Sequence, residues 1–321
     1  MATSIQKEPG TGGSTGDWLQ DRSLRAMIWS ARRLPYSARI PAFGALARSA
    51  IAPLAGHYRR IEENLDYIFP DMADADRKDI ARQSADNTGR VLIENYSSDE
   101  LAARSARIEP AGDGLADLEA ARKKGRTVIL LSGHYGNYEA ARGCLIARGY
   151  TVGGIYRPMK NPYFNAHYIE TLQIPGGGPV FPTGRSGTKG FVDYLRGGGI
   201  AMLLNDIYIG KGEDLPFLGK PAMTSLSAAE MALKFDAALV PVFATRANNG
   251  LDFTVEVDAE IPHSDPRTMT LAYNAALETR VRENPGQWFW THRRWKRKWN
   301  KGAGAAPDLH PAAQSTRQKS R

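Results

Sequence analysis

Thr127-Val128-Ile129-Leu130-Leu131-Ser132-Gly133-His134-Tyr135-Gly136-Asn137-Tyr138-Glu139 is the stretch on which the reading of this chain turns. Thr127 to Leu131 is a β-branched and aliphatic run of the kind that makes a buried strand. Ala140 to Ala147 continues in a helical pattern. A histidine therefore stands where a strand ends, and a carboxylate stands where a helix begins. On one continuous helix His134 and Glu139 would point about 140° apart. Gly133 and Gly136 permit a tight turn that can bring them together instead. An imidazole held by a carboxylate is suited to take a proton from a hydroxyl. The same residues also fit a buried histidine that Glu139 merely satisfies.

If His134 is a base, the chain offers it no partner nucleophile. No Gly-x-Ser-x-Gly elbow occurs, and the nearest approach, Gly184-Arg185-Ser186-Gly187-Thr188, fails at its last position. The one cysteine, Cys144, lies in the apolar pattern of the following helix. The nucleophile then belongs to the substrate, which means direct transfer to a hydroxyl or amine. Nucleotide hydrolysis is excluded, because Thr188 precedes Lys189 where a phosphate loop needs glycine. His57, His167, His263, His292 and His310 lack metal-ligand spacing, so neither metal nor cofactor is expected.

Outward from this stretch the chain alternates. Strands are predicted at 127–131, 152–156, 179–181, 200–204, 239–245 and 251–257. Helices at 162–172, 187–196 and 225–235 separate most of them. The pattern predicts an α/β fold with a central, mostly parallel sheet flanked by helices. Asn248-Asn249-Gly250 makes the last two strands an antiparallel hairpin. A helix at 268–283 closes the pattern. Helices at 59–69 and 74–93 precede the sheet, with Asp74 as N-cap of the second. In such sheets ligands bind beyond the carboxyl ends of the strands, where His134, Arg157 and Asp206 all fall. Arg157 is suited to a donor or acceptor phosphate, Asp206 to positioning Arg157 or the acceptor, and Arg185 to a phosphate or to solvent.

The 321 residues, 42% hydrophobic with one cysteine, suit a large core without a disulfide framework. Residues 1–16 and 302–321 are polar and small-residue rich, and are expected to be a flexible leader and a disordered tail. Residues 17–58 are expected to form amphipathic, membrane-associating helices, with packing on the protein's own core as the alternative. Trp18 to Leu34 carries Leu24, Met27, Ile28 and Ala31 at helical spacing, with Trp18, Trp29 and several arginines around them, and Pro41 to Gly56 suits a second helix. Arginines interrupt every apolar run near the N-terminus, so no span of the bilayer is predicted. Residues 59–301 are read as one domain. Six cations of the net +8 cluster at Arg293, Arg294, Lys296, Arg297, Lys298 and Lys301, interleaved with Trp288, Trp290, Trp295 and Trp299. Such a segment fits nucleic acid, a phospholipid surface or an acidic carrier protein.

Five blocks in order give the chain a resemblance. His134-x4-Glu139 resembles the His-x4-acid motif of glycerolipid acyltransferases. In particular it resembles that of the late acyltransferases of lipid A synthesis, the lauroyl/myristoyl transferase family within the lysophospholipid acyltransferase superfamily. Tyr156-Arg157-Pro158-Met159-Lys160-Asn161-Pro162, Asn205-Asp206 with Pro216-Phe217-Leu218-Gly219, Leu239-Val240-Pro241-Val242, and Pro285-Gly286-Gln287-Trp288-Phe289-Trp290-Thr291-His292-Arg293-Arg294 resemble its further blocks. The resemblance implies a glycerolipid-acyltransferase-like fold and an acyl thioester donor, on acyl carrier protein or coenzyme A. It implies as acceptor a lipid A precursor or another lysolipid. His134 and Glu139 become catalytic, with Glu139 orienting His134. Asn137, Arg157, Arg185, Asp206, Arg293 and Arg294 become substrate-binding. The partners it implies are acyl carrier protein and anionic membrane lipids, at the cytoplasmic face of the bacterial inner membrane, and no nucleic acid is expected. The family's extra basic residues between Arg157 and Gly184 are replaced here by Leu172-Gln173-Ile174-Pro175-Gly176-Gly177-Gly178-Pro179, which points to a less phosphorylated acceptor. A non-catalytic lipid-binding or membrane-tethering protein of the same fold is the alternative.

Overall fold

Val128, Ile129, Leu130 and Leu131 are wholly buried because both faces of their strand are covered. The computed structural model describes residues 13–174 and 176–296. The strand, β1 (Val128–Ser132), lies in the middle of a six-stranded sheet. With β2 (Val152–Tyr156), β3 (Val180–Pro182), β4 (Ile200–Leu204), β7 (Ala238–Arg246) and β8 (Phe253–Val257), the order is β3-β2-β4-β1-β7-β8. All neighbours run parallel except β8, which returns antiparallel to β7. The α/β architecture and the hairpin expected from the sequence are both present, with strand ends shifted by a residue or two. Side chains alternate faces along β1, as strand geometry requires. Ile129 and Leu131 enter one core with α11 (Ser227–Phe235), α12 (Pro266–Glu283) and α4 (His57–Ile68). Val128 and Leu130 enter the other, with α6 (Ser98–Ser105), α7 (Gly114–Lys123) and α8 (Tyr138–Ala147).

Four elements, two helices and the two strands of a hairpin, were absent from the sequence reading. Helices α6 and α7 bury few large apolar residues, chiefly Leu101 and Leu118, too sparse to declare a period. The Pro-Phe-Leu-Gly block is a hairpin of β5 (Glu213–Phe217) and β6 (Lys220–Thr224). Its turn residues Leu218 and Gly219 both have positive φ, 52° and 78°. Two such residues in a row make the turn whose twist suits a tight hairpin. Asp74 is not the N-cap of α5 (Asp74–Asn95). Ala73 holds that position, and Asp74 pairs with Arg77 at 2.6 Å.

The N-terminal region divides its apolar surface. Ser14 and Asp17 form a reciprocal capping box that starts α1 (Thr15–Ala31). The second helix begins earlier than expected, as α2 (Tyr36–Leu46), and passes through a π turn at Ala47–Ile51 into α3 (Ala52–Leu54). Ile28, Ala31, Tyr36 and Ile40 pack on Ile93, Tyr96 and Phe164. Trp18, Leu19, Met27, Trp29, Leu46, Ile51 and Leu54 remain exposed. Among the described residues no helix is long and apolar enough to cross a membrane. Residues 1–12 of the expected leader and all of the expected tail lie outside the described residues.

The C-terminal tryptophans overturn part of the lipid-surface reading. Trp288, Trp290 and Trp295 are buried in the first core, packed on one another, and Trp288 and Trp295 on Phe217, in stacked, tilted and edge-on pairs with ring separations of 4.7 to 6.1 Å. Aromatic rings that fill a core cannot sit at headgroup depth. Lys296 is exposed, whereas Arg297, Lys298, Trp299 and Lys301 lie outside the described residues.

Candidate active site

Two neighbouring strands end together, and this builds the site. β1 and β4 pair in register, Ser132 opposite Leu204. The Asn205 N–H extends the pairing by donating to the Ser132 carbonyl at 3.1 Å. His134 and Asp206 each lie two residues past those ends, so they meet. The Nδ1 of His134 lies 2.8 Å from Oδ1 of Asp206, and its backbone N–H donates to Oδ2 at 2.7 Å. Trp288 donates its indole N–H to the same Oδ2 at 2.9 Å, which fixes the carboxylate from the far side. Phe289 places its ring 5.7 Å from the imidazole and donates its N–H to the His134 carbonyl at 3.0 Å.

The turn that follows is held by close backbone contact. Gly136 has φ 53°, and a Cβ there would sit 1.7 Å from the Ala244 carbonyl oxygen, so only glycine fits. Asn137 then caps α8, accepting from the Glu139 N–H at 3.0 Å.

Asp206 is 3% exposed, while the His134 side chain keeps 31% of its surface open. Burial alone would lower the imidazole pKa. The Asp206 charge and hydrogen bond outweigh it, and the pKa ends above the usual histidine value. Burial would likewise raise the Asp206 pKa, but His134 and the N–H donors bring it below the usual range. An ionised Asp206 accepts, so the neutral ring carries its proton on Nδ1 and leaves Nε2 with a free lone pair, able to take a proton. His292 is also near, accepting from the Tyr208 N–H at 2.9 Å. Burial takes its pKa down to about 4, so it is neutral.

His134 opens on a cleft of about 490 Å³ across the carboxyl ends of β2, β3 and β4. That volume is within the usual range for small-molecule sites. Tyr138, Ile155, Tyr168, Leu172, Met202 and Ile209 give it apolar walls. Glu139, Arg142, Arg157, Asn205, Ser225 and Ser227 give it polar ones. Among the described residues no group of three His, Cys, Asp or Glu could hold a metal ion.

The structure redistributes the residues named from the sequence. Asp206 was expected to face Arg157 or the acceptor; it holds His134. Glu139 was expected to orient His134. It lines the same cleft, but pairs with Arg142 at 2.9 Å, and the ring nitrogen it was meant to hold is taken by Asp206. Asn137 is fully buried, donating to Glu94 at 2.8 Å, and reaches no cleft. Arg294 is fully buried as well. It donates to the Met223 carbonyl and the Thr224 hydroxyl, both at 2.6 Å, and burial lowers its pKa to about 10. Neither residue can bind substrate directly. Arg157 stands exposed in the cleft wall. Arg185, first residue of α10 (Arg185–Arg196), and Arg293 are exposed but do not line the cleft. Sequence reasoning missed Arg142, although its i,i+3 spacing from Glu139 was visible. It also missed Trp288 as a holder of Asp206, and no local signal marks that role.

A family model described as bacterial lipid A biosynthesis acyltransferase matches residues 15–297. The chain belongs to that family. It is similar to a lipid A biosynthesis acyltransferase of Haemophilus influenzae, 24% identical over 237 residues that cover 72% of this chain and 73% of that protein. It is also similar to the lipid A biosynthesis lauroyltransferase of Escherichia coli, 23% identical over 286 residues, 84% of this chain and 89% of that protein. The family is one of acyltransferases, and the match covers every strand and both walls of the cleft.

Proposed function

We propose that this family member moves a fatty acyl chain from an acyl thioester to a hydroxyl of a lipid A precursor or another lysolipid, with His134 as general base. The observation that carries the reading is the His134–Asp206 pair opening on a mixed apolar and polar cleft. The acceptor hydroxyl gives its proton to Nε2 of His134 as its oxygen attacks the thioester carbonyl. The tetrahedral intermediate collapses, the carbon–sulfur bond breaks, and the imidazolium returns the proton to the leaving thiolate. Asp206 stabilises the imidazolium between those steps. No acyl group rests on the protein.

Glu139, held by Arg142 in the cleft wall, is suited to accept a hydrogen bond from the acceptor. Exposed Arg157 is suited to a phosphate of either substrate. A chain of ten methylenes buried on the apolar walls would contribute roughly 8 kcal/mol, at about 0.8 kcal/mol each. The donor is carried on acyl carrier protein or coenzyme A. The exposed tryptophans of α1 and the arginines beside them favour peripheral attachment to an anionic membrane, at the inner membrane's cytoplasmic face, with 17–58 as the attaching segment and 59–301 as the catalytic domain.

Mass spectrometry of lipids from cells with and without the gene tests the reading. A lipid heavier by one acyl group, present only with intact His134, supports it and names both chain and acceptor. Identical lipid profiles, with binding of lipid by the purified protein, would favour the non-catalytic tether.

A further inference from the structure

A buried ion pair lies behind the His134 turn and touches nothing in the cleft. Glu94, on α5, is fully buried and receives both terminal nitrogens of Arg246, at 2.5 and 2.8 Å. Its second oxygen also accepts from Asn137 at 2.8 Å. Arg246 donates from Nε to Asn87 at 2.8 Å. Asn87 donates in turn to the carbonyls of Gly136 and Gln287, both at 3.1 Å. The Gln287 side chain completes the frame, pairing with the backbone N–H and carbonyl of Arg246 at 2.7 and 2.9 Å. Both segments that hold the imidazole are thus tied to one charged pair, the turn after β1 through Asn137 and Asn87 and the segment carrying Trp288 and Phe289 through Asn87.

Stability is a poor reason for such a pair. Desolvating two charges costs several kcal/mol per ion, and apolar residues of similar volume often serve as well or better. What the ion pair does supply is direction: it fixes the Asn87 and Asn137 side chains, and Asn87 carries that hold to the Gly136 carbonyl of a turn containing Gly133 and Gly136. We propose that Glu94 and Arg246, acting through Asn87 and Asn137, are positioning residues that set the His134 turn against Asp206 and the start of α8 against the cleft.

The proposal rests on the acyl-transfer reading only for its turnover arm, so its main test needs no substrate. The titratable groups around the ring are Asp206 after β4, Tyr138 and Glu139 on α8, and neutral His292 of the C-terminal segment. Those around Glu94 include Arg246, Tyr36 and, beyond Tyr36, Arg104. The double variant Glu94→Met with Arg246→Leu removes both charges without stranding either. Its fold is checked by its melting transition. Histidine-resolved NMR then follows His134, identified by the signal lost in His134→Ala. The expected result is a His134 titration that falls towards that of an ordinary imidazole, and a ring N–H that exchanges about 10-fold faster or more. Turnover, where present, should fall about 10- to 100-fold with the acceptor KM little changed, the usual result of a misplacement near 1 Å. If the double variant does not fold, Asn87→Ala keeps the ion pair and removes its hold on Gly136 and Gln287, and the same shifts are expected. A folded variant with His134 titration and exchange as in the wild type overturns the proposal. A shifted titration in a protein that transfers no acyl group supports the positioning role and sinks the acyl-transfer reading instead.

Discussion

At His134 the local physics gives a signed expectation. In the proposed acyl transfer the neutral ring acts as the base, and Asp206 holds its pKa above the usual value. Turnover should therefore climb as pH rises and level off only above the ordinary imidazole range. Asp206→Asn removes the charge, so the climb should move to lower pH while the plateau drops; an unmoved acid limb would show that Asp206 is not coupled to the base. His134→Ala should cost about 10² to 10⁴ in turnover with the melting temperature little changed. Glu139→Gln separates two roles, since a residue that holds the acceptor raises its KM more than it lowers kcat. A fall in kcat alone would restore Glu139 as an orienter of the ring. Cys144 is buried, and its thiol pKa is pushed up to about 11. Cys144→Ala should keep turnover near wild type, and acyl-enzyme trapped on any side chain would refute direct transfer. His134 was legible as a candidate because it follows a run that reads as a buried strand and stands in a glycine-containing turn. Its true partner was not, because Asp206 is 72 positions away and only the register of β1 against β4 joins them.

Elements with a strong period were read closely, such as β2, β4 and α9 (Pro162–Leu172), whose observed bounds match. Where tertiary contacts decide, local sequence gave the wrong assignment. The tryptophans at 288, 290 and 295 alternate with arginines as an interfacial segment would, yet their rings fill the core. The N-terminal helices behave the other way. Trp18 is 44% exposed and Trp29 60%, each under an arginine. Replacing both by serine should weaken binding to anionic vesicles several-fold and leave the melting transition in place, because neither ring belongs to a core. Raised salt should weaken that binding too. Binding indifferent to both changes would move the membrane contact elsewhere on the protein. Asn161 shows how α1 is tied down. It caps α9 through its side-chain Oδ1 and donates to the Asp17 carbonyl at 2.8 Å, so α1 is bonded to a helix that lines the cleft.

Across the whole molecule, the class of fold followed from alternating strands and helices, while the order β3-β2-β4-β1-β7-β8 did not. Strand order depends on which apolar faces find each other at long range, and no local pattern records it. That order determines what a shortened chain can do. A chain ending before Pro285 keeps all eight strands but loses Trp288, Phe289 and the three-tryptophan cluster. Such a chain should lose cooperative melting, which calorimetry would show; a sharp, native-like transition would mean the cluster is dispensable. The Trp288 bond to Asp206 has a temporal meaning as well. During synthesis His134 emerges first, Asp206 72 residues later, and the indole that bonds Asp206 a further 82 residues on. A chain that has not yet reached Trp288 therefore lacks part of the arrangement around Asp206, and a chain broken off before it never gains that part. If acyl transfer is the activity, it is withheld until Trp288 has been made.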